Sequence, residues 1–155
     1  MGTPDFAAVS LKKLVDEQFN VVGVFTQPDK PVGRKAILTP PPVKVVAESH
    51  NTKVLQPVSL KKDADEYINE LKTINPDVIV VAAYGKILPK EVLDIPKYGC
   101  VNVHGSLLPK YRGSSPIQWA VINGEKETGV TTMFTDIGVD CGVSGKVVVE
   151  CDRCL

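Results

Sequence analysis

The sequence has no excess of charge in either direction. Lys+Arg and Asp+Glu both number 18, and the formal net charge is zero. A domain that holds nucleic acid by its own field shows a basic balance or stripe, so that class is disfavoured, although a small anion could still be held locally. No apolar run approaches the ~18 residues that would suggest a membrane span. The start, Met1-Gly-Thr-Pro-Asp-Phe6, has neither a basic segment nor an apolar one of the signal type. A soluble, cytoplasmic protein is expected. Cysteine is scarce: Cys100, Cys141, Cys151 and Cys154 do not form a disulfide framework of the small secreted kind. Cys151-Asp-Arg-Cys154 offers two of the four ligands a structural zinc needs, and it stands at the chain end rather than at a strand-to-helix turn, so unpaired thiols and no metal are expected. There is no Gly-x-Ser-x-Gly elbow and no cysteine with an evident histidine partner. Internal repeats and low-complexity segments are also missing.

What is present reads as a single domain of 155 residues. Thr3 is placed to cap a first helix, with Pro4 at its first position, Asp5 complementing the dipole, and apolar spacing running to about Gln18. No strand precedes that helix, which is unusual for an α/β chain. Val21–Thr26 is β-rich, and Gln27–Lys35 is a loop dense in turn residues, with Arg34 and Lys35 available to meet phosphate. A short helix follows at Val43–Ser49 and a short strand at Val54–Gln56. Asp63-Ala-Asp-Glu66 fits a capping box for the next helix. Val78–Ala83 is apolar without alternation, as in a strand covered on both faces. Tyr84–Pro89 follows at its C-terminal end, then a short helix to about Leu93. Further on come a helix from Pro116 to Ile122, a strand at Val130–Thr135 and a β-rich run at Lys146–Glu150. This alternation predicts an α/β fold, a mostly parallel sheet with helices on both faces.

The stretch Cys100–Gln118 carries the chemistry. It opens as a strand in which Asn102 and His104 are two apart and so share a face. It then breaks into a loop at Pro109, Gly113 and Pro116. Open α/β sheets place ligands at such strand ends. His104 is one of only two histidines; His50 sits at a polar helix end and reads as solvated. A histidine oriented by a carboxylate is poised near neutral pH, and imidazolium and amide N–H groups suit a developing oxyanion. Asp140, in a glycine-flanked turn, is a plausible carboxylate partner. With no activated nucleophile evident, direct attack by a substrate amine is favoured over an acyl-enzyme.

Several segments together resemble a known family. They are Gly2–Phe6, Val21–Pro31, Ala83–Pro89, Asn102-Val-His-Gly-Ser-Leu-Leu-Pro109, Arg112-Gly113, Pro116–Gln118 and Glu127–Thr131. The chain resembles the N-terminal domain of the bacterial methionyl-tRNA formyltransferase family from residue 1 to Gly142. The resemblance implies a Rossmann-like sheet and transfer of a formyl group from 10-formyltetrahydrofolate to the α-amine of methionine on initiator tRNA. Asn102, His104 and Asp140 resemble the catalytic trio, the first two stabilising the oxyanion and Asp140 holding His104 charged. Tyr84, Gly85, Ile87 and Leu88 resemble one folate wall. Ser106, Leu107, Leu108 and Pro109 resemble the folate-side signature. Arg34, with Lys35 beside it, resembles the loop that meets the tRNA acceptor end.

The sequence also departs from that pattern. The family's first strand, ahead of Gly2, is missing, which would leave backbone unpaired in mid-sheet. Lys35-Ala-Ile-Leu38 is less basic than usual, and Trp119 replaces a basic residue. Residues 143–155 diverge, and the family's C-terminal tRNA-binding barrel is absent. A monomer without membrane attachment is expected. Two alternatives stand beside this reading: formyl transfer to another acceptor, and a non-catalytic remnant.

Overall fold

The computed structural model describes residues 1–60, 64–135 and 144–145. The elements, in chain order, are α1 (Asp5–Asp16), β1 (Val24–Phe25), β2 (Lys30–Val32), β3 (Ile37–Thr39), α2 (Pro42–Ser49), β4 (Val54–Leu55), α3 (Ala64–Ile74), β5 (Ile79–Ala82), α4 (Lys90–Leu93), β6 (Cys100–His104), α5 (Pro116–Ile122), β7 (Thr131–Phe134) and β8 (Ser144–Gly145). Asp63 of the expected capping box and the run Lys146–Glu150 lie outside the described residues, as do Cys141, Cys151 and Cys154.

The centre of the sheet is parallel. β1 pairs with β4, and β5 with β6 in the register Ile79–Cys100 to Ala82–Val103. The far edge turns antiparallel, β6 to β7 and β7 to β8. Apolar side chains of β5 alternate between two cores. Ile79 and Val81 pack with Leu71, Leu88, Val92 and Cys100 on the α3–α4 side. Ala82 packs with Ala7, Leu11, Val43 and Ala47 on the α1–α2 side. A continuous apolar strand is what a sheet covered on both faces requires.

The opening residues differ from expectation. Pro4, not Thr3, is the N-cap of α1, with no side-chain cap. The Thr3 hydroxyl instead donates to the Tyr84 carbonyl at 3.1 Å. Nor does the helix start without strand structure before it. Gly2 forms a parallel bridge with Ala82, its N–H donates to Phe25 O at 2.9 Å, and Met1 O accepts from Ala82 N at 2.9 Å. Met1–Gly2 therefore joins β1 to β5 as a two-residue strand. Only a glycine suits this seat: a Cβ on Gly2 would lie 2.5 Å from Ala7 Cβ and 2.9 Å from Ala82 O. Below it, between Asn20–Phe25 and Asn75–Val80, the sheet opens into a cavity of about 510 Å³.

The expected loop after β1 is partly ordered as a hairpin, Lys30–Val32 against Ile37–Thr39, antiparallel. Its strands are exposed on both faces. Its base is stapled by the Asp29 carboxylate, which accepts from Lys44 Nζ at 2.8 Å and from Gln56 Nε2 at 2.8 Å.

Candidate active site

At the C-terminal ends of β5 and β6 lies a second cavity, of about 650 Å³. Its floor is Asn102–Gly105. One wall is Ala83–Leu88 and the other Gly113–Gln118, with Pro4 and Phe6 at the side. The walls follow from local chain geometry. Ala83 (φ 43°) and Gly85 (φ 74°) turn the chain sharply off β5, and Ser115 (φ 64°) starts α5. Ile117 of α5 comes close to Gly105, where a Cβ would meet its Cγ1 at 3.2 Å.

Asn102 and His104 share a face of β6, as period-two alternation predicts, and both line the cavity. His104 is buried, only 6% exposed. Its Nε2 lies 2.8 Å from the carbonyl oxygen of Tyr111. A carbonyl can only accept, so Nε2 carries a proton in the neutral ring as well as in the charged one. Asp140, the expected third member, lies outside the described residues.

Tyr84, Gly85, Ile87 and Leu88 all line the cavity. The Tyr84 ring belongs to the α3–α4 core, and burial pushes its phenol up to about 12. Its carbonyl, turned outward, accepts from Gln27 Nε2 at 3.0 Å. Lys86 donates to the carbonyls of Pro57 and Val58, and burial, then the charge of Lys30, holds its ammonium below its ordinary pKa.

The Ser106–Pro109 signature lies beside the floor, directly after His104 and Gly105. None of the four residues lines the cavity. Ser106 is fully buried and donates to Lys110 O at 2.7 Å. Thr131, opposite His104 on β7, donates to Ser106 O at 2.8 Å and accepts from Leu108 N at 3.2 Å. The Leu108–Pro109 peptide is cis. These contacts make the segment a brace behind the cavity floor. Thr131, Tyr111 and Ile117 are parts of the site that no reading of spacing singles out. Arg34 and Lys35 are exposed at the hairpin tip and do not line the cavity.

A family profile described as "Formyl transferase" matches residues 1–150. The chain belongs to the formyl transferase family. It is 62% identical to the methionyl-tRNA formyltransferase of Clostridium novyi over 142 residues, which are 92% of this chain and 45% of that protein. Identity to the methionyl-tRNA formyltransferase of Clostridioides difficile is 57%, again over 92% of this chain and 45% of that protein. The chain spans about half the length of the curated relatives it matches. Among solved structures it superposes on the phosphoribosylglycinamide formyltransferase of Streptococcus pneumoniae with a TM-score of 0.73 at 24% identity, covering 99% of this chain and 81% of that one. That likeness establishes the formyltransferase fold. Among the described residues no group of acidic, histidine and cysteine side chains could hold a metal ion, and no helix is long and apolar enough to cross a membrane.

Within this formyltransferase fold, Gly85 gives a direct test of the cavity wall. At φ +74° an added Cβ would stand 2.4 Å from Gln27 Nε2, displacing the amide from the Tyr84 carbonyl. A left-handed conformation costs an L-residue about 1–2 kcal/mol. Gly85→Ala is expected to lower the unfolding free energy by that amount, read as a lower urea midpoint at unchanged slope. An unchanged midpoint would show that the wall does not depend on this turn.

Proposed function

We propose that this chain carries the chemistry of formyl transfer from 10-formyltetrahydrofolate to the α-amine of methionyl initiator tRNA. The observation that carries the reading is the pairing of Asn102 and His104 on one cavity floor, at strand ends, beside the Ala83–Leu88 wall. The names and 57–62% identity of the curated relatives support the acceptor.

The cavity fits the folate on its own properties. Its volume falls in the range of about 300–1,000 Å³ usual for small-molecule sites. Its walls combine apolar Ile87, Leu88, Val103 and Ile117 with the polar Asn102 and His104. The turn at Gly85 leaves backbone, rather than a side chain, at that wall. Tyr84, Gly85, Ile87 and Leu88 would hold the cofactor, with Ser106–Pro109 bracing the floor from behind. When bound, 10-formyltetrahydrofolate supplies an activated one-carbon unit.

The side chains have divided tasks. The Asn102 amide and the His104 ring donate to the oxygen that gains charge; aimed N–H donors in a water-poor site are the largest single source of such rate enhancement. With Nε2 committed to Tyr111, His104 donates from Nδ1, which requires the charged ring. A nearby carboxylate favours that form, and we assign this task to Asp140, together with acceptance of the amine proton. To the exposed tip residues Arg34 and Lys35 we assign contact with acceptor-end phosphates.

A side-by-side acceptor assay tests the assignment. With 10-formyltetrahydrofolate as donor, the chain is expected to formylate methionyl initiator tRNA and to leave glycinamide ribonucleotide and an amino sugar nucleotide unmodified. Preference for either small acceptor would overturn the tRNA assignment.

A further inference from the structure

His104 is fixed from behind by a strut that ends on a carboxylate. The strut begins at its Nε2, which donates to Tyr111 O at 2.8 Å. Tyr111 itself is left-handed, φ 57°, a conformation that persists in a bulky residue only when its surroundings over-determine it. Its hydroxyl supplies that constraint: it donates to Glu125 Oε1 at 2.6 Å and accepts from Asn123 Nδ2 at 3.0 Å. Lys110 Nζ, from the neighbouring residue, reaches the same carboxylate at 3.1 Å. Glu125 is anchored in turn, because its N–H donates to Ala120 O at 3.0 Å at the end of α5. The Tyr111 hydroxyl, and then the Lys110 ammonium, hold the Glu125 carboxyl below its ordinary pKa, so it stays an acceptor at neutral pH. The path from α5 to the floor histidine is therefore continuous: Ala120 O, Glu125, Tyr111, His104.

We propose that Glu125 is a positioning residue for His104, acting through Tyr111 to lock the proton on Nε2 and present Nδ1 to the reacting groups. Glu125 touches no substrate in this scheme. Its catalytic weight rests on the formyl-transfer reading of His104, but the lock itself does not.

The lock can be read directly, because the chain has two histidines. Long-range ¹H–¹⁵N spectra report which ring nitrogen is protonated, and His50→Gln identifies the other set of signals. At about pH 9, where an ordinary imidazole is neutral, wild-type His104 is expected as the single Nε2–H tautomer. Tyr111→Phe keeps the carbonyl and cuts the tether, so the His104 signals are expected to move to a mixture of tautomers. Glu125→Ala cuts the tether at its other end and gives a second measurement if Tyr111→Phe unfolds. Glu125→Gln retains an acceptor oxygen and is expected to restore the wild-type spectrum. The same two tether-cutting variants are expected to lose kcat roughly tenfold or more through misplacement of the ring, with KM for the folate little changed. A fixed Nε2–H tautomer in both cut variants, or Nδ1–H in the wild type, would overturn the proposal. Shifted tautomers in a chain that transfers no formyl group would leave the positioning standing and defeat only the formyl-transfer reading.

Discussion

His104→Ala is expected to reduce formyl transfer roughly 10³-fold while leaving folate binding nearly unchanged. The magnitude follows from the task the ring performs, donation to the oxygen that gains charge. Loss of an aimed oxyanion donor costs about 10²–10³-fold, and a charged donor stands at the upper end of that range. Binding is spared because the Ala83–Leu88 and Gly113–Gln118 walls do not depend on the imidazole. The truncation also leaves the part-buried Tyr111 carbonyl without its partner, so some stability is lost as well. The two effects separate in measurement: rate loss is read as kcat under saturating folate, and stability by melting. His104→Asn keeps a polar side chain on the floor but cannot carry an imidazolium's charge, and it is expected to recover stability more than rate. Turnover within threefold of wild type in His104→Ala would remove the ring from the mechanism.

The site's floor is readable from sequence because it depends on a local rule. In a strand, Asn102 and His104 must share a face, and the Leu-Leu-Pro loop after them must end the strand. The Val78–Ala83 run announces a doubly covered strand for the same kind of reason. Connections across space are not encoded that way. Tyr111 reaches His104 through a main-chain carbonyl, which any residue possesses, so neither its identity nor its spacing reveals the contact. Glu125 acts one step further away and reads as a surface acid after a helix. The hairpin between Lys30 and Thr39 is hidden because Pro31, Gly33 and Pro40 read as loop punctuation, and because its Val32, Ile37 and Leu38 are exposed, without a buried face to create alternation. Strand direction is hidden too: β7 is antiparallel to β6 although a helix, α5, lies between them, the arrangement that ordinarily yields a parallel crossover. Met1–Gly2 is too short to show any strand pattern, and only its neighbours β1 and β5 define it as one.

In a polypeptide that starts at Met1, that two-residue strand makes stability depend on pH. The Met1 α-ammonium sits in mid-sheet, donating to Val80 O at 2.6 Å, and burial pushes its pKa down from 8.0 to about 6. Above pH 8 the amine is neutral in both the folded and the unfolded chain, and it carries no charge penalty. Between 8 and 6 the unfolded chain takes up the proton and the folded chain does not, so stability falls as the pH falls. Below 6 the penalty is complete. A difference of two units corresponds to about 3 kcal/mol, which in a domain of this size shifts Tm by roughly 6–12 °C. Placing about five apolar, β-rich residues ahead of Met1 would convert the ammonium into an amide that donates the same hydrogen bond without a buried charge. The added strand would also run into the 510 Å³ cavity between Asn20–Phe25 and Asn75–Val80. Melting curves from pH 5.5 to 8.5 are therefore expected to show a steep rise in Tm for the chain beginning at Met1. The extended chain is expected to give a flatter, higher curve. Parallel curves would mean that the amine is solvated rather than seated in the sheet, and a flat curve at lower Tm would mean that the cavity rejects a strand.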